Sequence, residues 1–373
     1  MAVAPASSGY EYDAWLASSC LPAAAMRDVL NHYGNAEACF LAFKDNDPFF
    51  KENVSIRFRS ILEQNGTERS LQSFLRSIKK HSVKTITIGD PLYPSSLKEI
   101  DDPPAILFYQ GNPECLNKRS LAMIGSRAAS YSGQKAARKL AESLSRRGIC
   151  IVSGMACGID TAAHEGCLEG GSPTVAVTGC GLDRVYPAEN LPLRNRILEN
   201  GGLILSEYAP GEKPAGWHFP VRNRIITGLS GATILMEAKV RSGSMTSVQH
   251  TLDQGKDVFV YPGDPLSEQF SGNHQLLREG GIYFTCAEDI LEDMHWLDNP
   301  RAVRQNSGCS SDFKPSNPEE KDVIDALKRE NLSFEQLVSI TGINPSALMS
   351  TLTMLQIKGA IEALPGKQYQ IRH

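Results

Sequence analysis

Short apolar runs alternate with amphipathic segments between about residue 84 and residue 297. Runs such as ICIV and ATILM are apolar throughout, as strands covered on both faces are. A glycine follows nearly every amphipathic segment, where a helix would end. This alternation predicts an α/β domain over residues 84–297, built on an extended Rossmann-like, doubly wound and mostly parallel sheet.

The segments on either side of this domain show helical spacing instead. Over residues 1–83, apolar positions such as Trp15, Met26 and Val29 predict a small helical domain of the SAM or helix–hairpin–helix type. Residues 298–318 are rich in Asn, Ser and Pro, which is typical of a linker. Residues 319–373 show three helical patterns followed by a Pro-Gly hairpin, which predicts a winged-helix domain.

Composition narrows the classes of function. The chain has 373 residues and a net charge of −4, and no segment carries a large basic excess, so a nucleic-acid site must be a local patch. No apolar run approaches the length of a membrane span, and the first residues lack the features of a secretory signal. Nine cysteines without a CxxC pair indicate a reducing, cytoplasmic setting and no zinc site. We expect no metal, no cofactor and no membrane contact.

Small residues and arginines follow several of the apolar runs. The motifs are SLAMIGSRA (120–128), SGMACGID (153–160), FPVRNRII (219–226) and EAKVRSGSMTS (237–247). In a parallel sheet these positions meet at the carboxyl ends of the strands, where ligands bind. Glycine amides and arginine forks suit phosphate. We call this predicted phosphate-binding surface the crest; it comprises Gly125, Ser126, Arg127, Ser153, Gly154, Lys213, Phe219, Arg222, Asn223, Arg224, Lys239, Arg241, Ser242, Gly243 and Ser244.

Several roles within the crest stay open at this point. We interpret FPVRNRII as strand-like, which would place Arg222 and Arg224 on one face, although either could instead form a buried ion pair. Aromatic residues beside these arginines suit base stacking or an ordinary core. Glu237 is interpreted as orienting an arginine. Asp160 and His164 could form a catalytic pair, but a structural histidine is the better interpretation.

Taken together, the motifs resemble those of the DNA-processing protein A (DprA, or Smf) family. The set also includes DPLYPSSLKEIDDPPAILFYQG, GCGLDRVYPAEN, SEY and PGDP…SGNHQLL in the same order. The resemblance implies a homodimer without enzymatic activity that binds single-stranded DNA and loads RecA recombinase during natural transformation. It implies that Arg127 and the amides around Ser126 hold a DNA phosphate. Ala188 and Glu189 depart from the lysine of many relatives, and LPAAA (21–25) lacks the glycines of a DNA-binding hairpin.

The main alternative is a Rossmann-fold nucleotide-processing enzyme of the phosphoribohydrolase type, in which Arg127 and Glu237 would form the catalytic pair. The PGGxGTxxE loop of those enzymes is absent, and SGSMTS stands roughly in its place. GCGLDR has Arg184 where a dinucleotide fingerprint needs its third glycine. A winged-helix transcription regulator is disfavoured because residues 317–373 carry 6 basic and 7 acidic side chains.

Overall fold

Nine strands form the mixed sheet at the centre of the larger of two structural units. The structure is a computed structural model that describes residues 9–297, 317–328, 331–358, 360–364 and 368–371. The units are Met1–Ile290 and Leu291–His373. The strands are β1 Lys84–Thr87, β2 Ile106–Gly111, β3 Ser120–Ile124, β4 Cys150–Ser153, β5 Thr174–Thr178, β6 Leu203–Ser206, β7 Ala232–Leu235, β8 Val258–Val260 and β9 Ile282–Tyr283.

The strand order is β1-β2-β6-β5-β4-β3-β7-β8-β9. In this order, the seven strands β6-β5-β4-β3-β7-β8-β9 are parallel to one another. Strands β1 and β2 are antiparallel to each other, and β2 is antiparallel to β6. The chain builds the sheet from β3 toward β6 and then returns to place β7 beside β3. The order therefore reverses between β3 and β7, which is the switch point where doubly wound sheets bind ligands. Strands β3 to β8 are fully buried, and the predicted fold class is confirmed.

Fourteen helices belong to residues 9–297 as the structure describes them. The six N-terminal ones are α1 Tyr10–Ala17, α2 Ala23–Tyr33, α3 Ala36–Lys44, α4 Pro48–Asn53, α5 Ile56–Asn65 and α6 Glu68–Lys80. The remaining ones are α7 Ser95–Lys98, α8 Tyr131–Arg146, α9 Ile159–Gly170, α10 Leu191–Glu199, α11 His218–Gly228, α12 Gly243–Asp253, α13 Ser271–Arg278 and α14 Ala287–Asp293. Trp15 is completely buried and donates a hydrogen bond to Leu62 O at 2.8 Å. The core of the helical segment is continuous with Ile106 and Ile204 of the sheet.

The winged-helix unit contains α15 Pro318–Leu327, β10 Leu332–Ser333, α16 Phe334–Thr341, α17 Pro345–Ile357, β11 Ile361–Leu364 and β12 Gln368–Ile371. Its helices begin at side-chain caps, because Asn317, Ser333 and Asn344 each accept from a backbone amide in the first turn. The strands pair in the order β10-β12-β11. Most of the predicted linker (298–316) and the Pro-Gly turn lie outside the described residues. Among the described helices, none combines the length and apolarity needed to cross a bilayer.

One prediction about local structure is wrong. FPVRNRII forms most of helix α11 and is not strand-like. Its β-branched residues suggested a strand, but Ile225 and Ile226 fill the sheet's helical layer and are buried. In a helix, residues two apart lie about 200° around the axis from each other. Arg222 and Arg224 therefore leave α11 in nearly opposite directions.

Asp13 links the helical segment to the sheet and gives the fold a pH dependence. Thr85 Oγ1 of β1 donates to Asp13 Oδ2 at 2.5 Å. Burial raises the pKa of Asp13 to about 6, although the Thr85 hydrogen bond lowers it. Because the folded state holds this proton more tightly than the unfolded state, its contribution to stability falls as the pH rises from about 4 to about 6.

We predict that Asp13→Asn is relatively more stable at neutral pH than at acidic pH. The asparagine can still accept from Thr85 but cannot ionise, so it escapes the cost of a buried charge. The free energy of unfolding of Asp13→Asn minus that of the wild type should rise by about 2 kcal/mol between about pH 4.5 and about pH 7.5. Urea denaturation at both pH values measures it, and a constant difference would contradict the buried ionisation.

Candidate nucleic-acid interface

A cavity of about 670 Å³ opens at the switch point of the sheet. The loop after β3, the loop after β4, the first turns of α11 and the start of α12 contribute its walls. We call it the switch-point cavity. Crest residues in its lining are Gly125, Ser126, Arg127, Phe219, Arg222, Asn223, Ser242, Gly243 and Ser244. The fold therefore brings together nine of the fifteen predicted residues.

Arg127 extends from the loop after β3 toward the mouth of the cavity. Its guanidinium carbon lies 4.8 Å from the centre of the Phe219 ring, and the side chain is exposed. Within residues 9–297, no carboxylate lies within ion-pair distance of this guanidinium. The Ser126 amide is not free, because it donates to Glu237 O at 2.7 Å. The cation is thus available to a ligand, whereas the Ser126 amide, expected to hold phosphate, is not.

Gly158 packs closely against the backbone of the loop that carries Arg127. It precedes α9 with φ 79° and ψ −122°, a conformation that only glycine adopts readily. A Cβ at this position would lie 2.3 Å from Ser126 O and 2.7 Å from Arg127 O. Ile159 N donates to Ser126 O at 3.2 Å. The glycine therefore permits the contact that positions Arg127.

Arg222 occupies the floor of the cavity and is only 3% exposed. Its Nη1 donates to Gly154 O at 2.8 Å and also to Val177 O, and its Nε donates to Asn223 Oδ1 at 3.2 Å. Burial lowers the pKa of Arg222 to about 10, while the Asp160 carboxylate opposes the shift. The group stays cationic at neutral pH. Its buried guanidinium orients Asn223 and adds positive potential beneath the cavity.

Arg224, Ser153 and Gly154, which the sequence analysis assigns to DNA binding, are engaged inside the fold. Arg224 makes a two-pronged ion pair with Glu207, with N–O distances of 2.7 and 2.9 Å. Ser153 is fully buried and donates to Met123 O at 2.7 Å. Gly154 N donates to Asp160 Oδ2 at 3.1 Å, and its carbonyl accepts from Arg222. None of the three side chains or backbone groups is available to a ligand in this arrangement.

The start of α12 forms the opposite wall. Ser242 caps the helix by accepting from Ser244 N at 3.2 Å, and the backbone around Gly243 is open to solvent. The amides of Ser244 and Met245 are engaged by Ser242, so the helix dipole is what favours an anion here. Arg241 is exposed beside it, and Lys239 makes an exposed ion pair with Glu268 at 3.4 Å. Lys213 is also exposed, but none of these three cations lines the cavity.

Two aromatic side chains, Tyr186 and Phe219, line the cavity, and Trp217 lies two residues before Phe219 without lining it. Trp217 is 59% exposed and Tyr186 is 45% exposed. The rings of Tyr186 and Phe219 lie 5.3 Å apart at 34°. Tyr186 lines the cavity and was missed by the sequence analysis, although it stands in the GCGLDRVYPAEN motif just after β5. An aromatic residue within a glycine-rich strand-end loop is the signal that could have identified it.

Glu237 does not orient an arginine, as the sequence analysis expects. It is fully buried, and both carboxylate oxygens accept from Ser130, at 2.8 and 3.2 Å from N and 2.5 Å from Oγ. The carboxylate therefore holds the start of α8 in place. Because both of its oxygens are engaged there, it does not form a catalytic pair with Arg127. His164 lies 2.8 Å from Thr174 Oγ1, and burial lowers its pKa to about 3, so it is a neutral structural histidine.

Comparison with known proteins identifies the family to which the chain belongs. The model of the DNA recombination-mediator protein A family matches residues 84–295, and that of the DprA winged helix domain matches residues 312–367. The chain belongs to the DNA recombination-mediator protein A family. The resemblance inferred from the sequence motifs is confirmed.

Individual relatives cover much of the chain. Protein Smf of Escherichia coli K12 is 33% identical over 308 residues, which is 82% of each chain. DNA processing protein DprA of Streptococcus pneumoniae is 44% identical over 212 residues, which is 57% of this chain and 74% of that protein. Its X-ray structure matches with a TM-score of 0.66 and 35% identity over 78% of this chain and 98% of that one.

A second solved structure concerns the single-stranded DNA binding mode of DNA processing protein A from Helicobacter pylori. It matches with a TM-score of 0.52 and 31% identity, and it covers 57% of this chain and 95% of that one. The binding of single-stranded DNA is thereby described for that relative.

We predict that Gly158→Ala destabilises the protein more than a matched glycine substitution. Gly171 also has a positive φ, 92°, but a Cβ there meets nothing within 4 Å. Gly171→Ala should cost about 1–2 kcal/mol from backbone strain alone. Gly158→Ala adds the clash with the Arg127 loop and should cost roughly twice as much or more. Equal losses in urea denaturation would contradict the tight contact.

Proposed function

We propose that this protein is a recombination mediator that binds single-stranded DNA at the switch-point cavity and loads RecA recombinase onto it. The observation that carries the DNA-binding part is the Arg127 guanidinium. It is exposed, unpaired among the described carboxylates, and lies over Phe219 opposite the open start of α12. A fork of donors facing a helix N-terminus suits one phosphate held between two walls.

The aromatic rim supports a single strand over a duplex. Tyr186 lines the cavity with Arg127 and is exposed, and Trp217, next to the lining residue Gly216, is exposed as well. An aromatic ring stacks on a base only when that base is freed from pairing, and each such contact contributes about 1–3 kcal/mol without regard to sequence. Because the chain's net charge is −4, phosphate attraction is confined to this local surface. We therefore propose weak sequence preference and marked salt dependence.

The assembly and partner parts of the proposal rest on family membership. We propose a homodimer through the late part of the sheet, where β9 is the edge strand and Tyr283 is 57% exposed. Two linked sites would raise the apparent affinity of a narrow cationic surface. Delivery of the bound strand to RecA follows from the recombination-mediator role of the family. The fully engaged Glu237 argues against the phosphoribohydrolase alternative.

We predict that Arg127→Ala weakens binding of labelled oligothymidylate by about 1.5–3 kcal/mol, the value of one lost charged contact. That loss corresponds to roughly a ten- to hundredfold rise in dissociation constant. Arg146→Ala removes another exposed arginine, one that pairs with Glu142 in α8, and should leave affinity unchanged. Filter binding measures both. Equal affinities for the two variants, with normal melting, would remove Arg127 from the site.

The same pair of variants tests the RecA part separately. RecA ATPase on oligothymidylate coated with single-strand-binding protein should rise with wild type and with Arg146→Ala. It should rise little with Arg127→Ala at protein concentrations below the new dissociation constant. If wild-type protein binds the oligothymidylate but does not stimulate the RecA ATPase, the DNA-binding part of the proposal is retained and the RecA-loading part is rejected.

We predict that deletion of residues 317–373 leaves oligothymidylate binding nearly intact. Every residue that lines the switch-point cavity precedes this segment, and its 6 basic side chains are outnumbered by 7 acidic ones. A less than threefold change in affinity is expected by gel shift. A large loss, in a truncated protein that melts cooperatively, would place the principal DNA site in the winged-helix unit.

A further inference from the structure

The N-terminal helices contain a second cavity, of about 370 Å³, that the proposed DNA site does not use. It lies among the end of α3, α4 and the start of α5. We call it the N-terminal pocket, and we define it by Phe43, Lys44, Phe50, Lys51, Ile56 and Arg59. Its volume falls in the range of cavities that hold small ligands or single side-chain anchors.

The apolar part of the N-terminal pocket is aromatic. Phe50 is 2% exposed, and its ring meets that of Phe43 edge to face with centroids 5.2 Å apart. Ile56 also lines the cavity and is 73% exposed. The pocket thus combines a rigid aromatic surface with an aliphatic side chain that still faces water. Such a surface gains from covering by an apolar group.

Three cations contribute to the polar part of the lining, and one of them, Lys44, has its ammonium 5.4 Å from the centre of the Phe40 ring. Lys44, Lys51 and Arg59 line the cavity, and none has a carboxylate within ion-pair distance among the described residues. Arg59 Nε is buried and has no hydrogen-bond partner in the described part of the chain. An acidic group in the pocket would pair with these three cations.

The lining also contains acceptors, and these separate a peptide from a nucleic acid. Asp47 and Glu63 line the same cavity. A nucleic-acid backbone carries negative phosphates without N–H donors, so both carboxylates would repel it. A peptide has backbone N–H groups for such oxygens as well as acidic side chains for the cations.

We propose that the N-terminal pocket binds an acidic peptide segment of a partner protein, with an aromatic or large aliphatic side chain as its anchor. The anchor packs on Phe43 and Ile56, which the buried Phe50 supports, while flanking carboxylates pair with Lys44, Lys51 and Arg59. This inference does not depend on the DNA-binding proposal. It assigns the N-terminal helices a protein-binding role through a specific set of residues.

The test uses a fluorescein-labelled peptide in which one phenylalanine is flanked on each side by two acidic residues. Its binding to the full chain is followed by fluorescence anisotropy. Lys51→Gln with Arg59→Gln removes two pocket cations, and Arg69→Gln with Lys80→Gln removes two exposed cations outside the pocket. The first pair should weaken binding at least tenfold and the second less than twofold. A peptide with serine in place of phenylalanine should bind at least tenfold more weakly.

The proposal would be overturned by the absence of saturable peptide binding to wild-type protein up to millimolar concentration, by equal losses in the two paired variants, or by equal binding of the phenylalanine and serine peptides. Oligothymidylate affinity is measured on the same variants. If the pocket pair loses DNA affinity and the matched pair does not, the pocket is a DNA contact and the peptide assignment is wrong. Melting temperatures close to wild type show that each variant is folded.

Discussion

A buried guanidinium, that of Arg222, holds the floor of the candidate site together. It donates to the carbonyl of Gly154, just after β4, and to that of Val177, near the end of the neighbouring parallel strand β5. It also orients Asn223 on the first turns of α11. A buried charge is tolerated only when its donors are satisfied and an opposite charge is near, and the nearby Asp160 carboxylate supplies that charge. The position of Phe219, three residues earlier on the helix, follows from the same anchoring. Arg127 in turn lies over Phe219.

This arrangement divides the arginines by role. Arg222 and Arg224 stabilise the fold from opposite sides of α11, through strand carbonyls and through Glu207. Arg127 is left exposed on a loop that Gly158 and the Glu237 carbonyl hold in place. Among the described residues that line the cavity, Arg222 is buried in the frame and Arg127 is the exposed cation, in a chain whose net charge is −4. The ligand then meets a preorganised contact instead of a broad basic surface.

The sheet could be predicted because fully apolar strands and helix-ending glycines leave a regular pattern. Arg127 could be predicted because it directly follows a buried strand. In a doubly wound sheet that position lies at the carboxyl end of the strand, where ligands bind. Arg224 and Ser153 could not be assigned in this way, since their partners, Glu207 and Met123, depend on packing between distant segments. FPVRNRII was wrongly assigned as strand-like because its β-branched residues have a high strand propensity. In the structure the segment is helical, and this helix buries Ile225 and Ile226 against the sheet. The N-terminal pocket leaves no periodic signal at all.

The path of the DNA strand is the central claim, and cross-linking tests it most directly. Oligothymidylate containing 5-iodouracil, irradiated in complex with the full chain, forms covalent bonds with aromatic side chains that stack on its bases. Mass spectrometry of the digested complex should find the cross-links at Tyr186, Trp217 or Phe219, around the switch-point cavity. Cross-links confined to the N-terminal helices α1–α6 or to residues 317–371 would contradict the account.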